Sequence, residues 1–172
     1  MLAVLFVNRD FPMTTLNVGD ALPEGSFNFL NDGVKTMSSS ELFADKTVVL
    51  FSVPGAYTPT CSERHLPGFV DHFDDFKAHG VDTIACMAVN DAFVMDAWGK
   101  SQHADGRVMM LADGNGDYAR ALGLELDASK FGMGTRAQRF ALIAKNGRVV
   151  HLAVEAPGEF KVSAADAVLA AL

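Results

Sequence analysis

The run Pro54-Gly-Ala-Tyr-Thr-Pro-Thr-Cys61 sets a cysteine at the end of a turn rich in prolines and hydroxyls. A hydrophobic stretch, Thr47 to Val53, leads into it, and a helix-forming stretch from Ser62 leads out. The local order is therefore strand, tight turn and a cysteine at a helix opening. Thr60 reads as the N-cap, with Glu63 three residues later completing a capping box. Cys61 then takes the first helical position, among unpaired backbone N–H groups and the positive end of the helix dipole. Such a setting favours a thiolate, the nucleophilic form of cysteine. Pro54 and Pro59 stiffen the approach.

Electron supply by sulfur is only part of fast chemistry. Lowering a thiol's pKa from about 8.5 to about 6 raises its ionised fraction at pH 7 roughly 30-fold. The accompanying loss of nucleophilicity, with a Brønsted slope of ~0.45, is roughly 13-fold, so the net gain is about twofold. A rapid displacement by Cys61 needs preorganised donors for the leaving group, each worth ~10²-fold or more. Arg136 and Arg139 are the nearby cations of a later segment, Arg139 directly before Phe140. His65, four residues after Cys61, makes a cysteine–histidine hydrolase conceivable. Helical side chains lean toward the N-terminus, however, so Cys61 projects away from His65, and His65 reads as a structural hydrogen-bonding residue.

Pro54, Thr58 and Cys61 match the Pro-x-x-x-Thr-x-x-Cys motif of peroxiredoxins, thiol peroxidases on a thioredoxin-like fold. The continuation Ser62-Glu-Arg-His-Leu-Pro-Gly-Phe69 resembles the type II branch, which includes peroxiredoxin five. Val89-Asn-Asp-Ala-Phe-Val94, Trp98-Gly-Lys100 and Arg139-Phe140 are similar too, so the resemblance extends from about Leu16 to Leu172. It implies that Cys61 is the peroxidatic cysteine, that Thr58 orients peroxide, that Pro54 shields the site and that Arg139 is the active-site arginine. It also makes Phe131 a candidate pocket wall near a dimer contact. The implied reaction reduces hydrogen peroxide and alkyl hydroperoxides through a sulfenic acid on Cys61, with no metal or prosthetic group. Some type II relatives carry a resolving cysteine near the C-terminus; the matching stretch Gly158-Glu-Phe-Lys-Val-Ser-Ala164 has none. Cys86, inside an apolar run, is the only internal candidate and is disfavoured, because a disulfide needs Cα atoms within about 7 Å. Glutathione with glutaredoxin, or thioredoxin, is the expected reductant, and a homodimer the expected assembly. A redox-sensing protein whose oxidised Cys61 is read by a partner is the alternative from another class.

The elements that must position these residues follow from periodicity. Phe27–Leu30 and Val34–Met37 flank Asn31-Asp-Gly33 as a hairpin. A short helix is expected after Ser38–Ser40. Thr47–Val53 and Val81–Val89 are continuous apolar runs suited to central strands. Pro67 must kink the helix that starts at Cys61, near Arg64 to Leu66, and Phe69, Val70, Phe73 and Phe76 recur beyond it at helical spacing. Asn90 or Asp91 caps a helix with Phe93, Val94, Ala97 and Trp98 on one face. Val108–Leu111 is a short strand and Tyr118–Leu122 a short helix. Arg139–Ala144 and Arg148–Val154 form a hairpin about Asn146-Gly147, and Ala164–Leu172 closes the chain as a helix. The fold class is α/β, with a mixed sheet flanked by helices and an N-terminal β-hairpin.

Bulk properties narrow the functions. With 172 residues, 49% apolar and 20% charged, the chain supports one globular domain with a substantial core, read as 14–172 after an extension over 1–13. A net charge of −7 disfavours nucleic acid as a partner, and no apolar run reaches the ~20 residues of a membrane span. Asp113-Gly-Asn-Gly-Asp117 has a calcium-loop spacing, but Leu124 occupies the twelfth position where glutamate is needed. The two cysteines form no Cys-x-x-Cys pair, which removes dithiol and cysteine-rich zinc motifs. Residues Met1–Val7 are apolar but are interrupted by Arg9 and Asp10, unlike a signal peptide. The expected compartment is the reducing cytoplasm.

Overall fold

A computed structural model describes residues 16–172; the boundary expected between residues 13 and 14 lies outside the described residues. The chain opens with β1 (Ser26–Leu30) and β2 (Val34–Ser38), an antiparallel hairpin with Leu30 opposite Val34. Asp32 and Gly33 turn it with positive φ values of 53° and 97°. The short helix α1 (Ser39–Phe43) follows, and here a complete capping box forms: Glu41 N donates to Ser38 Oγ, and Ser38 N donates to the Glu41 carboxylate.

Next come β3 (Thr47–Ser52), the helical segment that contains Cys61, β4 (Thr83–Ala88), α4 (Ala92–Ser101) and β5 (Met109–Ala112). The segment around Cys61 is a π turn, Cys61–His65, continued by α2 (Leu66–Asp71) and, after a break at His72, by α3 (Phe73–Ala78). Then follow α5 (Asp117–Leu122), a small antiparallel pair β6 (Glu125–Asp127) and β7 (Thr135–Ala137), the hairpin β8 (Phe140–Lys145) and β9 (Arg148–Val154), and α6 (Ala165–Leu169). The pair β6–β7 was not foreseen from sequence; its three-residue strands are too short to show a period.

The seven-stranded sheet runs β2-β1-β5-β4-β3-β8-β9. Strands β3, β4 and β5 are parallel, and β8 runs antiparallel to β3 with Ser52 opposite Phe140. The sheet is therefore mixed, and β3 and β4 lie at its centre, buried on both faces. Alternation along β3 divides the core. Val49, Phe51 and Val53 face a layer with Leu66, Phe69, Phe76, Trp98 and Val168, whereas Val48 and Leu50 face Leu42, Phe43, Tyr118 and Leu122. Phe69, Val70 and Phe76 are buried as their spacing predicts, with Phe73 partly buried against them.

One helix face differs from expectation. On α4 the buried residues are Ala92, Met95, Trp98 and Gly99, while Phe93 stands 64% exposed. The three-to-four spacing is right but the face is rotated by one residue. Asp91 sets the start by accepting Val94 N at 2.8 Å, and the close seating of Gly99 under Met110 fixes the rest: a Cβ on Gly99 would lie 2.5 Å from Met110 Cγ.

Candidate active site

Cys61 follows the turn that leaves the C-terminal end of β3, where parallel strands deliver their loops to one edge of the sheet. Its turn is pinned from several sides. Ala56 N donates to Asn90 Oδ1, so Asn90 braces the turn while its neighbour Asp91 caps α4. Arg136 donates to the carbonyls of Met133 and Pro54. Gly55 is pressed so closely that a Cβ there would meet Met133 Cε at 3.1 Å and Arg136 NH1 at 3.3 Å. Tyr57 adopts φ 63°, a left-handed conformation costly for an aromatic residue and common in functional turns.

The helix start differs from the sequence reading. Thr60 is already helical (φ −62°, ψ −37°) and its side chain caps nothing, so the Thr60–Glu63 box does not form. Helical conformation begins at Pro59, suited to a first helical position because it has no N–H to satisfy. Cys61 is thus two residues further in, on a π turn closed by Leu66 N donating to Cys61 O. Pro67 supplies no N–H to the helix, and the expected kink takes the form of this wide turn.

Thr58, three residues before Cys61, folds back over the sulfur. Its hydroxyl oxygen lies 2.9 Å from Cys61 Sγ and 2.7 Å from the Gly55 carbonyl oxygen. One hydroxyl proton serves one acceptor at a time. It can go to a thiolate, or to Gly55 when the sulfur keeps its own proton. Arg139, directly before β8, reaches the sulfur as well, NH2 donating to Sγ at 3.0 Å. Arg136, the alternative cation, is instead committed to backbone carbonyls. The sulfur is fully buried between a hydroxyl and a guanidinium.

His65 does not touch Cys61. Its Nε2 lies 3.0 Å from the Ser163 carbonyl and its Nδ1 2.8 Å from Arg139 NH1. A carbonyl only accepts, so Nε2 carries the proton and Nδ1 accepts from Arg139. Burial, reinforced by the Arg139 charge, lowers the His65 pKa from 6.5 to about 3, so the ring is neutral. Phe51, Phe69 and Phe160 surround it, with centroids 4.9, 5.7 and 5.0 Å away. No ring nitrogen is left to deprotonate Cys61, which removes the cysteine–histidine hydrolase arrangement.

The other predicted residues are placed as follows. Pro54 is half-buried before the turn, its carbonyl held by Arg136. Phe131 sits on a 3-10 turn, Ser129–Phe131, 70% exposed with Lys130 Nζ 5.0 Å from its ring, too open to wall a cavity within this chain. Cys86 is fully buried on β4, opposite Phe51, in the same apolar layer as Cys61. Burial first, and the neighbouring Cys61 second, push its thiol well above the ordinary range. Both cysteines are free. The Asp113 cluster acts as a helix cap: its carboxylate accepts Tyr118 N and Ala119 N at 3.0 and 2.9 Å. Ser163, Glu155 and Asn90 were missed as site supports, because the first two lie far along the chain from Cys61 and no local pattern connects them.

A buried cysteine at a strand-to-helix turn, with hydroxyl and guanidinium donors on its sulfur and a mixed sheet behind it, defines a thiol peroxidase of thioredoxin-like fold. Comparison with known proteins agrees. The Redoxin family model matches residues 17–169. Peroxiredoxin-2B of Arabidopsis thaliana is 48% identical over 162 residues, 93% of this chain and all of that protein. The structure of reduced Prx3 in complex with hydrogen peroxide from Vibrio vulnificus superposes with a TM-score of 0.88 at 51% identity, over 91% of this chain and 99% of the other. Peroxiredoxin 5 from Alvinella pompejana gives a TM-score of 0.81 at 35% identity, over 91% and 97% of the two chains. The chain belongs to the Redoxin family, and within it to the peroxiredoxins: it is a thiol-dependent peroxidase, with type II, peroxiredoxin five-like relatives.

Proposed function

We propose that this peroxidase reduces hydrogen peroxide and alkyl hydroperoxides at Cys61 and is recycled by glutathione with glutaredoxin. The observation that carries the site assignment is the sulfur held between Thr58 Oγ1 and Arg139 NH2 at 2.9 and 3.0 Å. The thiolate attacks one peroxide oxygen, an S–O bond forms, and the O–O bond breaks. The departing hydroxide or alkoxide takes a proton from solvent, and Cys61 is left as a sulfenic acid. Arg139 and the Thr58 hydroxyl face the oxygens on which negative charge develops, and the rigid turn after Pro54 keeps them there.

Recycling then needs two thiols. The first displaces water from the sulfenic acid to give a mixed disulfide, and the second releases Cys61 and leaves with the first as an external disulfide. Cys86 is a poor candidate for the first thiol. It sits in a hydrogen-bonded central strand, fully buried, with its ionisation suppressed by burial. The two free thiols suit a reducing compartment, and we place the protein in the cytoplasm. A homodimer is the proposed assembly, supported by the large rings exposed on loops: Tyr57 in the Cys61 turn at 54% and Phe131 at 70%.

Peroxide consumption tests the proposal. Cys61→Ser should fold and lose turnover, whereas Cys86→Ser should keep glutathione-dependent turnover, with a glutathione adduct on Cys61 by mass spectrometry. Turnover retained by Cys61→Ser would end the reading. A quantitative Cys61–Cys86 disulfide during turnover, or activity with thioredoxin alone, would overturn the recycling route.

A further inference from the structure

The Glu155 side chain, 93 positions beyond Cys61 neighbour Ser62, is buried and gathers four donors. Lys161 N, Ser163 N and Ser163 Oγ reach Oε2 at 2.7, 3.3 and 2.8 Å, and Val162 N reaches Oε1 at 3.0 Å. The turn so gathered is the one whose Ser163 carbonyl accepts from His65 Nε2. On the other side, Glu155 N donates to Arg139 O at 3.0 Å. A closed circuit results: Arg139 main chain, Glu155 main chain and carboxylate, the 161–163 turn, His65, the Arg139 guanidinium and finally Cys61 Sγ.

We propose that Glu155 is a positioning residue for the peroxidase: by gathering residues 161–163 it holds the Ser163 carbonyl on His65 and so fixes the tautomer that aims Arg139 at Cys61. The inference rests on Arg139 acting at the sulfur as described above. Its chemistry is that of one proton. With the carbonyl in place, Nε2 keeps the hydrogen and Nδ1 offers a lone pair to the guanidinium. With the turn slack, Nε2 loses its acceptor and the Nδ1–H tautomer becomes accessible. That tautomer sets an N–H against an N–H, and Arg139 loses the acceptor that fixes its plane. A guanidinium is useful at a developing oxyanion only while it is aimed, so misalignment lowers the rate without altering any group that touches peroxide.

The circuit is tested with Glu155→Ala and Glu155→Gln, reading ring ¹⁵N shifts of His65 by NMR and the rate of peroxide reduction at a pH where the thiol is fully ionised. Glu155→Ala should lower that rate between about 10- and 100-fold and reduce the Nε2–H population. Glu155→Gln, which keeps one carboxamide oxygen for the turn, should fall between it and wild type. Asp113→Asn serves as a control, because it weakens a buried carboxylate cap on α5 and should lower the melting temperature with tautomer and rate unchanged. A folded Glu155 variant with the wild-type tautomer and full rate would overturn the proposal, and Glu155→Gln decides alone should the alanine variant not fold. If wild type proves inactive toward peroxide, the proposed function fails, while an Nε2–H tautomer insensitive to Glu155 would still sink the circuit by itself.

Discussion

Arg139 has two acceptors, the Cys61 sulfur and the His65 Nδ1, and each fixes one nitrogen of its fork. That geometry separates two effects a cation can have on a thiol. One is to favour the thiolate; the other is to hold charge on the leaving oxygen. The first vanishes once pH has ionised the thiol, but the second persists. Because any gain in ionised fraction is offset by lost nucleophilicity, the second effect should dominate. Arg139→Gln should therefore slow peroxide reduction by ~10²-fold even at high pH, measured by stopped-flow at saturating ionisation. Recovery of the full rate at high pH would reduce Arg139 to a tuner of thiol ionisation. A different residue-scale prediction comes from Ser52, whose buried Oγ has no hydrogen-bond partner among the described residues. Removing an unsatisfied hydroxyl removes its desolvation cost, so Ser52→Ala should be neutral or stabilising by about 1 kcal/mol in urea unfolding. A loss above that amount would show that the hydroxyl is satisfied in solution.

At the scale of elements, the helical segment from Cys61 and helix α4 work together. The π turn Cys61–His65 carries one more residue than an α turn, which lets Cys61 and His65 both meet the Arg139 fork without meeting one another. Helix α4 holds this segment through Trp98, whose Nε1 donates to Ser62 Oγ at 2.9 Å. The start of α4 rests on the Asp91 cap. Asp91→Ala should cost about 1 kcal/mol of stability by denaturant unfolding, and the disturbance should be visible in Trp98 fluorescence because that ring lies on the helix that Asp91 caps. An unchanged midpoint and spectrum would show that packing of Ala92, Met95 and Trp98 is enough to fix the helix.

Across the whole molecule, stability and the site share a buried neutral histidine. The unfolded chain protonates His65 near pH 6.5, whereas the folded protein resists until about 3, because burial and then Arg139 disfavour the cation. The unfolded state therefore binds more protons between those values. The stabilisation from neutral His65 is complete above pH 6.5 and is lost as pH falls toward 3, on the order of 1.4 kcal/mol per pH unit. Glu155 adds in the same direction, its hydrogen bonds from the 161–163 turn holding its carboxyl below the usual range against the opposing effect of burial. Unfolding free energy should thus decline steadily below pH 6.5, and His65→Gln should flatten that decline. A wild-type curve flat from pH 7 to 4.5 would contradict the buried neutral ring.

The chemistry-bearing turn and most of the layered fold can be read from the sequence alone, since those signals are local. Pro54, Thr58 and Cys61 lie within eight residues, β3 and β4 are continuous apolar runs, and Asp32-Gly33 and Asn146-Gly147 are turns that any reader of φ preferences can place. The same local rules misassigned the Thr60–Glu63 cap, because Ser38-x-x-Glu41 and Thr60-x-x-Glu63 look alike and only the first is followed by a free helix start. Pro59 begins the second helix earlier, with Ser62 N donating to the Thr58 carbonyl. The face of α4 was off by one residue because Gly99 must pass under Met110. Which distant groups complete the site follows only from the way the strands pair. Pairing of β3 with β8 sets Ser52 opposite Phe140, which delivers Arg139 to the sulfur edge and leaves Arg136 on the Pro54 carbonyl. Pairing of β8 with β9 then puts Glu155 beside Arg139. Strand register is a property of the assembled sheet, fixed by which faces of all seven strands can be buried at once, so no window of sequence contains it.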